Sequence, residues 1–330
     1  MKPSNAAIKP LRRAMLVSGC LALAVRMARA AGNDGRPIEW VVGYAAGGGS
    51  DVVARLLADA MARQLGQTIV VINKPGAATN IAADYVARSR DRGHTLFSGD
   101  FATLAANPAL FQKLSYSAAD DLAAVGMLAR FPLILVVAPR VPVTNFKEFL
   151  AWAKASPSGV TYGSPGAGTA HHLATELLRD RTGLNFLHAP YRGAAPALQD
   201  LLGNQIDFML IDSASGLSYV TAGKLRALGV TTGARTTVLP QVPTLAEQGL
   251  SGFDVYSWQG LTVPVATAPE DVKRFNAALV AVLNTNEVRT KLLAMGVEPS
   301  PGSPREMAAY VSSERERWGQ LIRDRGIRVD

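Results

Sequence analysis

The segments VVGYAAGGGSDVVARLL (41–57) and GVTYGSPGAGTAHHLATELL (159–178) share one grammar: an apolar strand, a glycine cluster with a hydroxyl residue, then an amphipathic helix. A strand that breaks on glycine and restarts as a helix is half of a strand–helix–strand crossover, and that unit builds parallel sheets with helices on both faces. The rest of the chain keeps the same alternation. Short apolar runs at 38–44, 68–72, 94–99, 132–138, 159–163, 206–211 and 225–231 read as strands. Helical spacing links Val52, Val53, Leu56, Leu57, Ala60, Met61 and Leu65, and again Leu173, Leu177 and Leu178. The C-terminal third reads as helix over 270–284, 287–295 and 304–324. The pattern predicts an α/β protein whose sheets are mixed but mostly parallel.

The first thirty residues stand apart. Lys2, Lys9, Arg12 and Arg13 precede the apolar run AMLVSGCLALAV, too short to cross a bilayer, and Ala28-Arg29-Ala30 supplies a small-x-small cleavage pattern. This is the layout of a secretory signal peptide over 1–30 and predicts a periplasmic protein. Val17-Ser18-Gly19-Cys20 offers a second reading, lipidation at Cys20, but LALAV continues apolar where a polar tether should start. The leader carries six of the 34 basic residues and none of the 26 acidic ones, so the mature chain has 28 against 26, a net charge of +2. A basic, aromatic-laced face for nucleic acid is therefore not expected. The only cysteine is Cys20, which leaves the mature chain without disulfide or thiol chemistry.

Proline-bearing joints fall at Pro139 and Pro142 and again between Pro240 and Pro243. Two crossings at these joints give two lobes, one from 36–138 and 251–330, the other from 139–250. Each lobe then carries one glycine loop. Ligands of open α/β sheets collect at the carboxyl ends of strands, where helix N-termini present free N–H groups and partial positive charge. Two such loops facing across a cleft would grip an anion.

Enzyme readings fail on the same residues. A phosphate-binding loop needs lysine before its Ser or Thr, and Gly49 stands there; GxGxxG ends on Val52; Tyr162-Gly163-Ser164-Pro165-Gly166 is not a nucleophile elbow. His171 and His172 point about 100° apart on a helix, and Glu176 does not complete a zinc motif. His94 and His188 lie isolated beside strands. The reading calls for no metal, no cofactor and no catalysis.

The ordered segments GYAAGGGSDVVAR, VVINKPGAATNIAADYVARS, HTLFSG, YGSPGAGTAHHLATELL, PYRGAAPALQDLLGNQIDFM, AGKLRALGV, LPQVPTLAEQGLSGF with WQGL, and MGVEPSPGSPREMAAYVSSERERW resemble a family. It is that of the extracytoplasmic solute receptors of tripartite tricarboxylate transporters, or Bug receptors, and the resemblance covers the whole mature chain. It implies a type II periplasmic binding-protein fold, monomeric, whose lobes close on a di- or tricarboxylate, an acidic amino acid or an aromatic acid. It also implies membrane permease subunits as partners, with signalling to a sensor kinase as the alternative role.

By position, the resemblance assigns the ligand to Tyr44, Ala46, Gly47, Gly48 and Asp51 of the first loop and to Ser164, Gly166, Gly168, Thr169 and His171 of the second. Asn80, Tyr191, Arg192 and Asp212 join them. Family members usually have Phe at Tyr44, often Arg at Lys74, and glycines where this chain has Ala77-Ala78-Thr79-Asn80. Several of these residues have a second reading. Ser50 and Asp51 are capping types that could fix the loop, Arg192 could pair with Asp200, and Asp212 could cap the next helix. Ser164 and Thr169, set among glycines, read as free for a ligand. Trp152, Trp258 and Trp318 read as core or joint aromatics. Backbone capture is sufficient in principle: four or five hydrogen bonds to a charged group at about 1.5–3 kcal/mol each, with two helix N-termini at roughly 0.3–2 kcal/mol each, give a gross ~7–19 kcal/mol against the roughly 8 kcal/mol of micromolar binding, before ordering costs.

Overall fold

The computed structural model describes residues 35–329, so the leader and Cys20 lie outside the described residues. β1 (Ile38–Val42) buries Ile38, Trp40, Val41 and Val42, since helices cover both faces of a parallel sheet. β2 (Ile69–Asn73) and β3 (Thr95–Asp100) flank it in parallel. β9 (Tyr256–Pro264) continues the sheet antiparallel to β3, and β4 (Leu122–Val137) follows antiparallel to β9.

β4 joins the two halves of the molecule. Its residues from Leu122 to Pro132 pair with β9, and from Leu133 to Val137 they pair with β7 (Phe208–Asp212). β8 (Arg226–Val230) also lies against this second half of β4. Beyond β7 run β5 (Val160–Ser164) and β6 (Phe186–Pro190), all three parallel. The short β10 (Glu298–Pro299) pairs with Ala129 and Arg130 of β4.

The run 132–138 is thus the end of a 16-residue strand, and β6 and β9 are strands that periodicity did not mark. The stretch LAAVGMLARF has few β-branched residues, and two register shifts against β9 interrupt its alternation. Its strand state comes from pairing with β9 along its length and with β10 at Ala129 and Arg130, not from local propensity.

Helices follow the strand ends. α1 (Gly49–Leu65) succeeds β1 and packs Val53, Leu57 and Met61 into one core with Phe275, Leu279 and Val282 of α8 (Pro269–Leu283). α2 (Asn80–Ala87), the short α3 (Asn107–Leu110) and α4 (Phe146–Lys154) lie along the chain before β5. α5 (Ala170–Thr182), α6 (Ala194–Leu202) and α7 (Ser213–Thr221) succeed β5, β6 and β7. α9 (Asn286–Ala294) leads to α10 (Pro304–Arg325), which starts on a capping box between Ser303 and Glu306.

α10 returns to the first sheet through a buried acid. The Glu314 carboxylate accepts the indole N–H of Trp258 at 2.9 Å and of Trp318 at 3.1 Å, with Phe101 edge-on to both rings. Trp152 sits half-buried against Phe149. The chain therefore brings the N-termini of α1, α5, α6 and α7 to one cleft between the two halves.

Candidate functional site

The first loop leaves β1 at Val42 and becomes helix at Gly49. Gly47 takes φ +83°, a left-handed value open to glycine, and α1 starts on Gly48 with no side-chain cap. Asp51 lies 3% exposed and turned into its own loop. Its carboxylate accepts the Gly47 N–H at 3.0 Å, Asn73 Nδ2 at 2.9 Å and Arg55 Nε at 3.0 Å. Burial opposes ionisation, but hydrogen bonds from Arg55, Gly47 and Asn73 hold the carboxyl below its ordinary value. Asn73 Nδ2 also donates to the Tyr44 carbonyl at 2.9 Å. Asp51 thus acts as a loop brace, with its oxygens engaged inside the loop.

The second loop is also braced from within. Gly166, at φ +151°, turns its carbonyl inward to accept the hydroxyls of Ser164 at 3.0 Å and Thr169 at 2.7 Å. Both hydroxyls are therefore committed to the loop, and neither stands free as the sequence led us to expect. The reason is the inward-turned carbonyl, which local sequence does not reveal.

Behind the loop three rings stack: His172 on His188 at 4.2 Å between centroids, and His188 on Tyr162 at 4.7 Å. His172 Nδ1 accepts the Gly168 N–H at 3.0 Å, and His188 Nε2 lies 2.7 Å from Ser164 Oγ. Burial drives His172 down to about 3, aided by His188 and Arg179, and drives His188 down to about 4. Both rings are neutral near pH 7, so His172 can accept from the loop backbone.

The two halves touch through glycines. The Gly49 N–H donates to Ser215 Oγ at 2.6 Å, and the Ala45 N–H donates to the Arg192 carbonyl at 3.0 Å. A Cβ on Gly49 would stand 2.2 Å from Asp212 Oδ1, and one on Gly168 would stand 2.9 Å from Asn107 Oδ1. Gly193 meets Ala45 in the same way. The missing side chains let the backbones meet.

Two spaces remain between the loops. The inner one, about 20 Å³, has room for one water and is lined by Tyr44, Gly48, Ser50, His171, Asp212 and Gln259 among others. His171 is 6% exposed with neither ring nitrogen hydrogen-bonded in the structure; its Nε2 lies 3.4 Å from Asp212 Oδ2, and Gln259 Oε1 is also buried without a partner. Asp212 caps α7, accepting the Ser215 N–H at 2.9 Å.

The outer space, about 320 Å³, lies within the size range of small-ligand pockets. Its walls are Gly43, Tyr44, Pro75 to Thr79 and Ile81 on one side, and Pro165 to Ala167 and Pro190 to Arg192 on the other. Among the described residues no acidic side chain lines it. Arg192 is exposed there, and among the described residues its guanidinium makes no ion pair or hydrogen bond. Asp200 is engaged instead by the Tyr191 hydroxyl at 2.6 Å, and burial together with Asp200 pushes that phenol up to about 12.

Tyr44 separates the two spaces. Its hydroxyl donates to Asp100, whose other oxygen accepts the Thr103 N–H at 3.0 Å. Burial, Asp100 and Asp212 all push the phenol well above its ordinary value. The hydroxyl is thus tied back to β3, and the ring faces the cleft.

Of the residues assigned from sequence, the structure gathers Tyr44, Gly48, Gly166, His171, Tyr191, Arg192 and Asp212 around the two spaces. Ser164, Gly168, Thr169 and Asp51 stand behind as supports, and Ala46 and Gly47 are exposed outside both walls. Asn80 is tied down: its Oδ1 accepts Asn107 Nδ2 at 2.7 Å and the Tyr116 hydroxyl at 2.9 Å.

Asp100, Asn107 and Gln259 were not anticipated; His188, read as an isolated structural histidine, lies within β6 in contact with Tyr162, His172 and Ser164. Asp100 ends β3, so the rule that ligands gather at strand ends would have found it; Gln259 lies within an antiparallel strand and carries no such signal. Among the described residues no group of three or more His, Cys, Asp or Glu side chains is placed to hold a metal ion.

Residues 53–327 match the model of the tripartite tricarboxylate transporter family receptor. Three solved structures are similar. The periplasmic binding protein BugD shares 31% identity, with 89% of this chain and 99% of that one covered at a TM-score of 0.85. Rpa4515 of R. palustris with adipate shares 33%, covering 90% and 99% at 0.87. MatC (Rpa3494) of Rhodopseudomonas palustris with bound malate shares 33%, covering 87% and 99% at 0.83.

Proposed function

The chain belongs to the tripartite tricarboxylate transporter family of receptors, and from that premise we propose that it captures a small carboxylate in the cleft between its two glycine loops. The observation that carries this reading is the outer cavity, with backbone of both loops on its walls, a free guanidinium at Arg192 and no acidic lining among the described residues. α1 and α6 both start on glycine without a side-chain cap, and their first residues Gly48, Gly49 and Ala194 line the inner space, so the two helix dipoles place partial positive charge beneath the outer cavity and favour an anion there. Adipate and malate in two relatives fit that chemistry.

In this reading Tyr44, Gly166, Tyr191 and Arg192 face the solute, and Gly48, His171 and Asp212 form a polar floor below it. Ala46 and Gly47 shape the first turn. Asp51, Asn80, Ser164, Gly168 and Thr169 hold the loops in place. Residues 36–138 with 251–330 and residues 139–250 act as the two lobes, and β4 runs between them, changing partner between Pro132 and Leu133. The leader over 1–30 directs export to the periplasm, where the loaded monomer delivers its solute to membrane permease subunits. No turnover is expected.

Titration calorimetry and thermal melts against a panel of di-, tri- and aromatic carboxylates test the reading. Binding should raise stability by about 2.7 kcal/mol at a hundredfold excess over Kd. A panel that gives neither heat nor a melting shift overturns it.

A further inference from the structure

We propose that Ala77 and Ala78 set which acids the cleft accepts, an inference that rests on the carboxylate-receptor reading. Both line the outer cavity, opposite Pro165 to Ala167 and Pro190 to Arg192. Ala77, Ala78 and Thr79 have φ of 46°, 52° and 71°, consecutive left-handed residues that all carry a Cβ. Glycine adopts that backbone without steric penalty, and the same chain uses glycine at left-handed Gly47, Gly76 and Gly168 around this cleft. The methyls at 77 and 78 are therefore kept against the preference of their own backbone, and strain of this kind marks functional positions.

The surroundings hold the segment in that conformation. Asn107 Nδ2 donates to the Ala78 carbonyl at 2.8 Å and to Asn80 Oδ1 at 2.7 Å. Thr79 Oγ1 bonds to Asp100 Oδ1 at 3.3 Å and lies beside Thr103 Oγ1. The Ala78 methyl lies 3.9 Å from where a Cβ on Gly168 would stand, so it reaches across to the second loop. With Pro75 and with Ile81, which is 51% exposed, the two methyls make this wall apolar and narrow the passage opposite the Arg192 side. The matching solute is an acid with a slim, unbranched hydrocarbon or flat aromatic body.

The test pairs unbranched with branched acids: succinate with methylsuccinate, glutarate with 3-methylglutarate, adipate with 3-methyladipate, and benzoate with 4-methylbenzoate. Calorimetry on wild type, Ala77→Gly and Ala78→Gly should show the wild type preferring the unbranched member. At least one glycine variant should shift that preference about tenfold or more toward the branched one, the discrimination one methylene supplies. The ligand-free glycine variants should also melt about 2–4 °C higher as strain is relieved. Ala78→Ser, which keeps the strained backbone and adds a hydroxyl, should weaken binding of the hydrocarbon acids without that melting gain. If the wild type binds acids from the panel and the glycine variants leave every preference unchanged, the wall assignment is wrong and the receptor reading stands. If the wild type binds none of them but binds another acid of the wider carboxylate panel, the wall assignment falls and the receptor reading stands; if it binds nothing in either panel, both fall. A lower melting temperature in both glycine variants contradicts the strain argument.

Discussion

His172 and His188 never meet the cleft, yet they decide whether the second loop keeps its shape. The loop's Gly168 N–H needs an unprotonated Nδ1 on His172, and the ring stack excludes the water that would support a charge. In the folded chain these imidazoles titrate near 3 and 4, and in an unfolded chain near 6.5. Between pH 6.5 and about 4 the unfolded chain therefore takes up protons that the fold refuses. Stability is complete above that window and falls as pH drops through it, by up to about 1.4 kcal/mol per pH unit for each ring. Thermal melts from pH 7 to 4 should show this decline, and His188→Asn should flatten it while lowering the melting temperature at pH 7. An unchanged slope in that variant would assign the acid sensitivity to other groups.

α1 and α7 meet nose to nose, one from each half, and Gly49 makes that approach possible. Gly49→Ala would drive a methyl against Asp212 Oδ1, Ala214 and Ser215. Overpacking of this kind costs about 1–3 kcal/mol, and here it acts on the contact between the two halves that the proposed function has close on the solute. Affinity for any bound acid should drop roughly tenfold or more, with little change in the melting temperature of the free protein. Equal losses in both would place the effect within one lobe instead. The elements that carry these contacts were mostly legible in sequence, because β1 with α1 and β5 with α5 combine an apolar run, a glycine break and helical spacing. β9 and the first half of β4 were not. Their residues alternate poorly, and pairing makes them strands, β9 between β3 and β4, and the first half of β4 against β9 with the short β10 at Ala129 and Arg130. At the site, the loop residues were legible and their division of labour was not. Whether Ser164 faces a solute or the Gly166 carbonyl depends on a φ value that neighbouring residue types leave open.

Across the whole molecule, one long strand links two sheets, and the C-terminal helices close back on the first through Glu314 and its two tryptophans. That frame sets two glycine loops face to face with a 320 Å³ space and a free guanidinium between them. The proposed capture is of charge by backbone and Arg192, with no acidic side chain in the outer wall among the described residues. Its most direct test is a crystal structure grown with an acid from the panel. The expected result is a ligand carboxylate in the outer cavity, about 2.7–3.2 Å from backbone N–H groups of both loops. Density for the acid on a single lobe, or at a surface away from residues 43–48 and 164–169, would contradict it.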